Sequence, residues 1–358
     1  MASLTETAYF ARKAVNFSII ALIALIIIKV GFGFLYELWL ALNPPPPPPP
    51  NVAFDVLPDI NFPESTSSAT FVYSLETIDG RFPFIPAIGK VYFIAIPREN
   101  LQSLNRAMEQ ASKLKFTGEP QTITTTIRQW TDPGNPLRTL RFDIATGNFL
   151  VKYDWANDPT IFNQKEVPDE VTAKTEAANF FQNMEILPKE LENAKTQISY
   201  YKASVDQMVP ASSLSSADFT RLDYLRDPID NFPILGDTPT KTPLYIIYSG
   251  DRSEEKRMVE VSFVLWDIDK ENYATYPLRP LEEAWTDLQK GKGYIANQGT
   301  SATNLISVRK IYLAYYYPTN PMNFLEPVYV FEGDKGFVAY VPAVKKDWLE
   351  KVLPLPNN

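Results

Sequence analysis

The feature that most constrains this chain is an apolar run near the N-terminus, residues 17–36, with the sequence FSIIALIALIIIKVGFGFLY. Apart from two glycines, only Ser18 and Lys29 interrupt it. A helix of this length spans about 30 Å, which is the thickness of the hydrocarbon core of a bilayer. The run therefore predicts one transmembrane helix in contact with lipid, and we place that helix at residues 17–42.

The charges that flank the apolar run predict its orientation. Arg12 and Lys13 directly precede it, whereas the next basic residue beyond it is Arg81. Because basic flanks are retained on the cytoplasmic side, we expect a single-pass protein of the cell membrane with residues 1–16 in the cytoplasm and the C-terminal region outside. A cleaved signal peptide is the alternative, but the run is longer than the apolar part of a signal and no A-x-A-like site follows it.

Lys29 lies deep in the apolar run, where a charge costs about 3 kcal/mol unless the ammonium group reaches the interface or a partner. Two interpretations are open. The side chain extends to the interface beside the small Gly31 and Gly33, or it pairs with an acidic residue of another membrane helix that the glycines allow to come close. Under the second interpretation Lys29, Gly31 and Gly33 are candidate contacts to a membrane partner.

Seven consecutive prolines, Pro44 to Pro50, follow the apolar run. Proline restricts φ and favours the polyproline II conformation, which rises about 3.1 Å per residue. The prolines thus predict a stiff spacer of roughly 22 Å. Since the sequence stays rich in Pro and Ser as far as residue 69, we interpret residues 43–69 as a stalk and linker.

The composition of the chain excludes several classes of function. None of its 358 residues is Cys or His, which removes thiol and imidazole catalysis and every metal site built on those ligands. Lys and Arg total 34 against 42 Asp and Glu, and the resulting net charge of −8 argues against a nucleic-acid partner. Neither the serines near residue 213 nor Asp237-Thr238-Pro239 completes a catalytic pattern. We therefore predict no enzyme, with no catalytic, cofactor-binding or metal-binding residues.

A pattern of one helix followed by antiparallel strands recurs three times after residue 70. We predict helices near residues 98–114, 168–184 and 280–290, because apolar residues recur there at steps of three or four. Alternating strands joined by Gly-containing turns follow each helix. The predicted fold class is α+β, with one N-terminal transmembrane helix and then repeated helix-plus-antiparallel-sheet units at residues 70–160, 161–270 and 271–358.

Short motifs in these units carry a family resemblance. FTGEP at 116–120, LRTLRF at 137–142 and the following Thr146-Gly147 resemble the helix-then-hairpin unit of PepSY-like domains. Residues 283–291, 312–315 and 325–331 are similar to the ectodomain repeats of the YycH and YycI regulators. The resemblance implies a single-pass membrane protein whose outer α+β region modulates a membrane partner, typically a sensor kinase or a peptidase.

Aromatic residues on the last two strands are candidates for an ectodomain interface. The candidates are Tyr315, Tyr316 and Tyr317 on one strand and Tyr329 and Phe331 on its partner. Alternation directs Tyr315 and Tyr317 to one face and Tyr316 to the other, so we expect one face to present tyrosines to solvent. The alternative is a sheet that packs all of these rings beneath a helix containing Trp285.

These features predict a membrane-anchored ectodomain that binds and regulates or scaffolds another membrane or envelope protein, such as a sensor kinase, a peptidase or a transporter. An envelope sensor that binds a peptide or glycan through an aromatic cleft is the alternative. A hydrolase that uses carboxylates alone is a third hypothesis, and it requires two acids that converge in a cleft. The absence of cysteine fits a bacterial cell-envelope protein without disulfides.

Overall fold

The structure is a computed structural model that describes residues 4–43, 48–63, 71–164, 166–186, 191, 194–301 and 303–350. The chain forms two compact units, Met1–Pro49 and Pro50–Asn358. Of the predicted stalk and linker, Pro44 to Pro47 and residues 64–69 lie outside the described ranges, as do residues 351–358 of the predicted third unit.

The first unit contains one helix, α1 (Leu4–Leu42), of 39 residues. Its stretch Tyr9–Leu40 is long and apolar enough to cross a membrane, which confirms the predicted long apolar helix. The helix begins before the predicted residue 17 because neither Gly nor Pro interrupts residues 4–16. It ends at the prolines, where the amide of Asn43 donates to the carbonyl of Trp39 at 2.8 Å.

In the described part of the second unit the helices are α2 (Ser103–Lys113), α3 (Glu170–Met184), α4 (Glu254–Arg257) and α5 (Leu281–Gln289). Short 3₁₀ turns cover Trp155–Asn157, Pro159–Phe162, Leu214–Ser216, Asp334–Gly336 and Lys346–Trp348. The predicted helices correspond to α2, α3 and α5. Helix α2 starts later than residue 98 because Asn100 and Ser103 bond locally, the amide of Asn100 donating to Ser103 Oγ at 3.0 Å.

The strands are β1 (Val72–Leu75), β2 (Ile88–Ala95), β3 (Gln121–Thr122), β4 (Ile127–Thr131), β5 (Arg138–Asp143), β6 (Phe149–Tyr153), β7 (Thr196–Ser204), β8 (Gln207–Pro210), β9 (Phe219–Tyr224), β10 (Ile234–Leu235), β11 (Leu244–Ser249), β12 (Met258–Phe263), β13 (Asp267–Pro277), β14 (Tyr294–Asn297), β15 (Leu305–Tyr316), β16 (Phe324–Gly333) and β17 (Val338–Pro342). They form two sheets, of nine and eight strands.

The nine-stranded sheet is antiparallel throughout and has the order β3-β4-β5-β6-β12-β11-β9-β7-β8. Its two halves repeat one order of elements, in which a helix (α2 or α3) precedes an antiparallel series of strands and the last strand lies at the centre of the sheet. The two last strands, β6 and β12, pair with Val151 opposite Val261. Strands from the first two predicted units therefore share one sheet.

Both helices cover the same face of the nine-stranded sheet. Ala107 and Ala111 of α2 and Ala173, Ala177 and Phe181 of α3 belong to one buried cluster with the sheet. Small alanines let the helices approach the strands closely, which leaves the larger side chains of the sheet to fill the layer between them.

The eight-stranded sheet has the central order β1-β15-β16-β17-β14, and β10, β2 and β13 extend it. Strands β1 and β10 pair parallel to β15, which the prediction of antiparallel strands did not include. Helix α5 covers one face through Leu281, Ala284 and Leu288. The α+β class, with one long apolar helix ahead of a sheet-rich region, is confirmed.

Residues 51–62, here named the strap, were predicted as linker, but they pack against the rest of the second unit. The amide of Val52 donates to Thr275 O at 3.0 Å, and that of Leu57 donates to Trp348 O at 2.8 Å. Leu57 also bridges Leu349 in parallel and is fully buried. The strap is ordered because its apolar side chains are buried away from water and its backbone groups form hydrogen bonds with the rest of the second unit.

A buried ion pair on β9 gives a first prediction for stability. Arg221 Nε and Nη2 donate to Asp223 Oδ2 and Oδ1 at 2.8 and 2.7 Å, and both residues are buried. Asp223→Ala leaves the guanidinium in the core without its carboxylate, so we expect the free energy of unfolding to fall by about 3–5 kcal/mol. Urea denaturation measures this change, with the exposed Asp206→Ala as a control. A loss as small as that of the control would contradict the prediction.

Candidate binding cleft

The five aromatic residues predicted to form an ectodomain interface are all buried: Tyr315, Tyr316, Tyr317, Tyr329 and Phe331. The expectation that one face of their sheet presents tyrosines to solvent is therefore wrong. Tyr329 and Phe331 pack in the core beneath α5, where the ring of Phe331 lies 5.9 Å from that of Trp285. Tyr316 packs against Phe62 of the strap on the other face. Both faces of the sheet are covered, so these rings stabilise the core.

The candidate contacts within the membrane lie on α1. Lys29 is exposed, and within the described chain it has no ion pair. A Cβ added at Gly31 or Gly33 would meet nothing within 4 Å. Lys29 and Gly33 are four residues apart and share a helix face, so the proposed approach of a second helix stays a prediction.

An open cleft of about 410 Å³ lies on the helix-covered side of the nine-stranded sheet. It is lined by the ends of α2 and α3 and by Val151 and Val261, the pair at which the two halves of the sheet meet. Sequence reasoning missed it, because its walls come from both halves and no local pattern brings them together. Its volume is in the range of pockets that bind small molecules or side chains, roughly 300–1,000 Å³.

The floor of the cleft is apolar. Leu114, Val151, Met184 and Val261 line it and are buried, while Phe180 and Met258 are partly exposed. Methionine side chains are flexible and polarizable, so such a floor adapts to ligands of different shape. The floor suits aliphatic groups better than the flat sugar faces that an aromatic cleft would stack.

Basic side chains form the walls of the cleft. Each is held by a carboxylate: Lys113 by Glu185 at 2.8 Å, Arg138 by Asp132 at 3.2 Å, Arg257 by Glu176 at 2.8 Å, and Arg252 by Glu166. The hydrogen bond to Glu185 raises the pKa of Lys113, and the same bond lowers the pKa of Glu185. Pairs as exposed as Lys113–Glu185 contribute little free energy, so a ligand can replace the glutamate at low cost.

Arg257 and Arg138 differ in how much of their hydrogen-bonding capacity is used. Arg257 binds both oxygens of Glu176 and donates to the carbonyls of Ser249 and Glu166. Among the described residues, the side chain of Arg138 donates only through Nη1, to Asp132. The guanidinium of Arg138 lies over the ring of Phe116, 4.5 Å from the ring centre, and this contact fixes its plane.

A second cavity, also of about 410 Å³, lies beside the C-terminal segment. Arg279, Lys292 and Lys346 line it together with the acidic side chains of Asp59, Asp287 and Glu350. Its opposite charges balance, and it lacks the apolar floor of the cleft. Within the described residues, no group of three or more Asp and Glu side chains is arranged to hold a metal ion.

Comparison with known proteins does not assign this chain to a family. No family model matches the sequence. No curated protein matches it. Among solved structures, an uncharacterized protein from Eubacterium rectale ATCC 33656 is similar, with 14% identity, 73% of this chain and 84% of that chain covered, and a TM-score of 0.39. The C-terminal domain of YpeB from Bacillus megaterium has 15% identity, 69% and 95% coverage, and a TM-score of 0.28. TM-scores this low do not establish a shared fold.

Proposed function

We propose that this chain is a single-pass protein of the cell membrane whose extracytoplasmic region binds, and thereby regulates or scaffolds, another membrane or envelope protein. The cleft carries this proposal: it combines an adaptable apolar floor with basic walls, as expected of a surface that accepts a segment of another protein. The N-terminal apolar helix, with Arg12 and Lys13 ahead of it, supports anchoring with a cytoplasmic N-terminus.

The chemistry of the cleft supports binding without catalysis. Its lining consists of aliphatic, methionine and ion-paired side chains together with Phe180 and Asn183, and its one carboxylate, Glu254, pairs with Lys115. A catalytic acid or base needs a poised proton and a nearby reacting group, which a paired surface glutamate does not supply. The motifs at 116–120 and 325–331 favour a regulator of the PepSY-like, YycH type, whose partner would be a sensor kinase, a peptidase or a transporter.

Site-specific photocrosslinking of the full chain in native membranes tests the proposal. A benzophenone side chain at Asn183, which is exposed in the wall of the cleft, is expected to give one discrete adduct with an envelope protein. The same probe at Val205, exposed on the turn between β7 and β8, serves as the matched control and is expected to give none. Phe180→Ser removes the aromatic ring from the floor and should weaken the Asn183 adduct severalfold.

The adduct supports the proposal only if its mapped peptide, when altered in the partner, changes the activity of that partner. An adduct that forms equally at Asn183 and Val205, or one that is insensitive to Phe180→Ser, would contradict it. Lys29→Leu in the same membranes tests the predicted contact within the bilayer. Loss of the adduct in that variant would assign Lys29 a role in holding the partner, whereas an unchanged adduct would leave the lysine with an interfacial role only.

A further inference from the structure

The cleft contains one cationic group, the guanidinium of Arg138, with several unused hydrogen-bond donors. The guanidinium of Arg138 has five N–H donors. Among the residues that the structure describes, only one of these donors, on Nη1, has an acceptor. The side chain is 12% exposed and lines the cleft. Arg138 is thus held in place by Asp132 and by the ring of Phe116, neither of which lines the cleft, while its remaining donors are free to bind a ligand.

The apolar floor lies beside this group. Arg138 and Leu140 are two residues apart on β5 and share a face of the sheet, and Leu140 pairs directly with Val151 of the floor. A ligand whose acidic group reaches Arg138 therefore extends its apolar part over Val151, Met184 and Val261. The combination selects a molecule that is aliphatic at one side and acidic at the other.

The basic side chains of the cleft act as hydrogen-bond donors and not as an excess of positive charge. Lys113, Arg138, Arg252 and Arg257 line the cleft together with one carboxylate, that of Glu254. The four cations are paired with Glu185, Asp132, Glu166 and Glu176, which do not line it. An acidic ligand therefore binds through donors that these ion pairs leave unused, such as those of Arg138.

Asn183 adds a group suited to a peptide. Its side chain is exposed in the wall of the cleft, and within the described residues it makes no hydrogen bond. An amide side chain offers both a donor and an acceptor, which are the two groups that a peptide bond presents. Arg138, the floor and Asn183 together match a carboxylate, an aliphatic side chain and a peptide group.

We propose that the cleft binds the C-terminal end of a peptide, with the terminal carboxylate on Arg138, the last aliphatic side chain on the floor and the preceding peptide group on Asn183. This inference rests on the proposed function, since it names the ligand chemistry of the same cleft. Arginine binds carboxylates through two parallel hydrogen bonds, which gives such a site orientation as well as affinity.

Methyl NMR of the full chain in lipid nanodiscs tests this inference. The sequence has six methionines, of which Met184 and Met258 line the cleft. Acetyl-Ala-Ala-Leu with a free C-terminal carboxylate is expected to shift these two signals and to leave those of Met208 and Met322 unchanged. The same peptide with a C-terminal amide should bind about tenfold more weakly, because it lacks the charge-assisted bonds to Arg138.

Two variants test whether Arg138 is the residue that makes the cleft prefer the acid over the amide. Arg138→Gln keeps a donor for Asp132 and should remove the difference between acid and amide. Lys113→Gln, a matched loss of one cation at the rim, should keep most of it. If Arg138→Gln does not fold, the comparison of acid and amide on the native chain still decides the proposal.

Three results would overturn the inference: equal binding of acid and amide, no shift of Met184 and Met258 with either peptide, or a tenfold preference that persists in Arg138→Gln. None of them would by itself reject the proposed function, because the Asn183 crosslink tests the presence of a partner independently of its terminal group. Conversely, a clear preference for the acid without any crosslinked partner would leave the cleft as a peptide site and reject the regulatory role.

Discussion

Glu326→Leu is expected to stabilise the second unit by about 2 kcal/mol at pH 7, an unusual sign for a substitution in a core. Glu326 lies on β16, is fully buried, and neither of its carboxylate oxygens has a hydrogen-bond partner among the described residues. Burial raises the pKa of this carboxyl well above its ordinary value, and the charge of Asp59 on the strap adds to the shift. A leucine of similar size removes the cost of burying that polar group.

The same group predicts how stability depends on pH. Because the pKa of Glu326 is raised in the folded state, the folded chain holds a proton that the unfolded chain loses above about pH 4.3. Its contribution is therefore fully present below that pH and is lost as the pH rises towards the folded-state pKa. The free energy of unfolding of the native chain should fall across this range, by up to about 1.4 kcal/mol per pH unit from this group, and Glu326→Leu should lack that slope.

Urea denaturation between pH 5 and 8, followed by far-UV circular dichroism, measures both effects. Glu332 on the same strand provides a matched control, since it accepts a hydrogen bond from the hydroxyl of Tyr312 at 2.5 Å and lies 3.7 Å from the ammonium of Lys310. Glu332→Leu should therefore lower stability. If Glu326→Leu proves less stable than the native chain, or keeps its pH slope, the carboxyl is partnered or charged in the fold and the prediction is wrong.

Leu57→Ala is expected to lower the free energy of unfolding by about 2–5 kcal/mol, the cost of a cavity at a fully buried leucine. Leu57 belongs to the strap, which the sequence predicted as linker. Its side chain packs in the core of the eight-stranded sheet, and its backbone bonds to Trp348 and Glu350 on either side of Leu349. A residue of a free linker would show no such loss, so the variant decides whether the strap is part of the fold.

Leu101→Ala is the control for this measurement, because Leu101 is fully exposed just ahead of α2. Its effect should stay within about 0.5 kcal/mol. Thermal unfolding of the full chain gives a second readout. Equal stabilities of the two variants would place the strap outside the cooperative unit and contradict the packing of Leu57.

Local patterns were sufficient for the longer helices and the hairpins of this fold, but not for β1, β2 and β10. The apolar run from Phe17 predicted the anchor helix, since one segment of that length and hydrophobicity has few alternatives in water or lipid. The helices α2, α3 and α5 followed from apolar spacing, and the hairpins followed from turns such as that at Gly147. These signals act within about a dozen residues, so they are readable along the chain.

Long-range contacts decided the rest. The pairing of Val151 with Val261 creates the cleft, and the strap folds back onto residues near Trp348. Tyr315 is buried against Tyr92 of β2, Tyr316 against the strap and Phe331 against α5. Alternation along a strand states which side chains share a face, but the layers that cover each face come from distant segments. The sequence by itself therefore determined the long apolar helix and the class of fold. The tertiary structure alone decided which surfaces face solvent, because burial depends on what packs against a side chain and not on its place in a pattern.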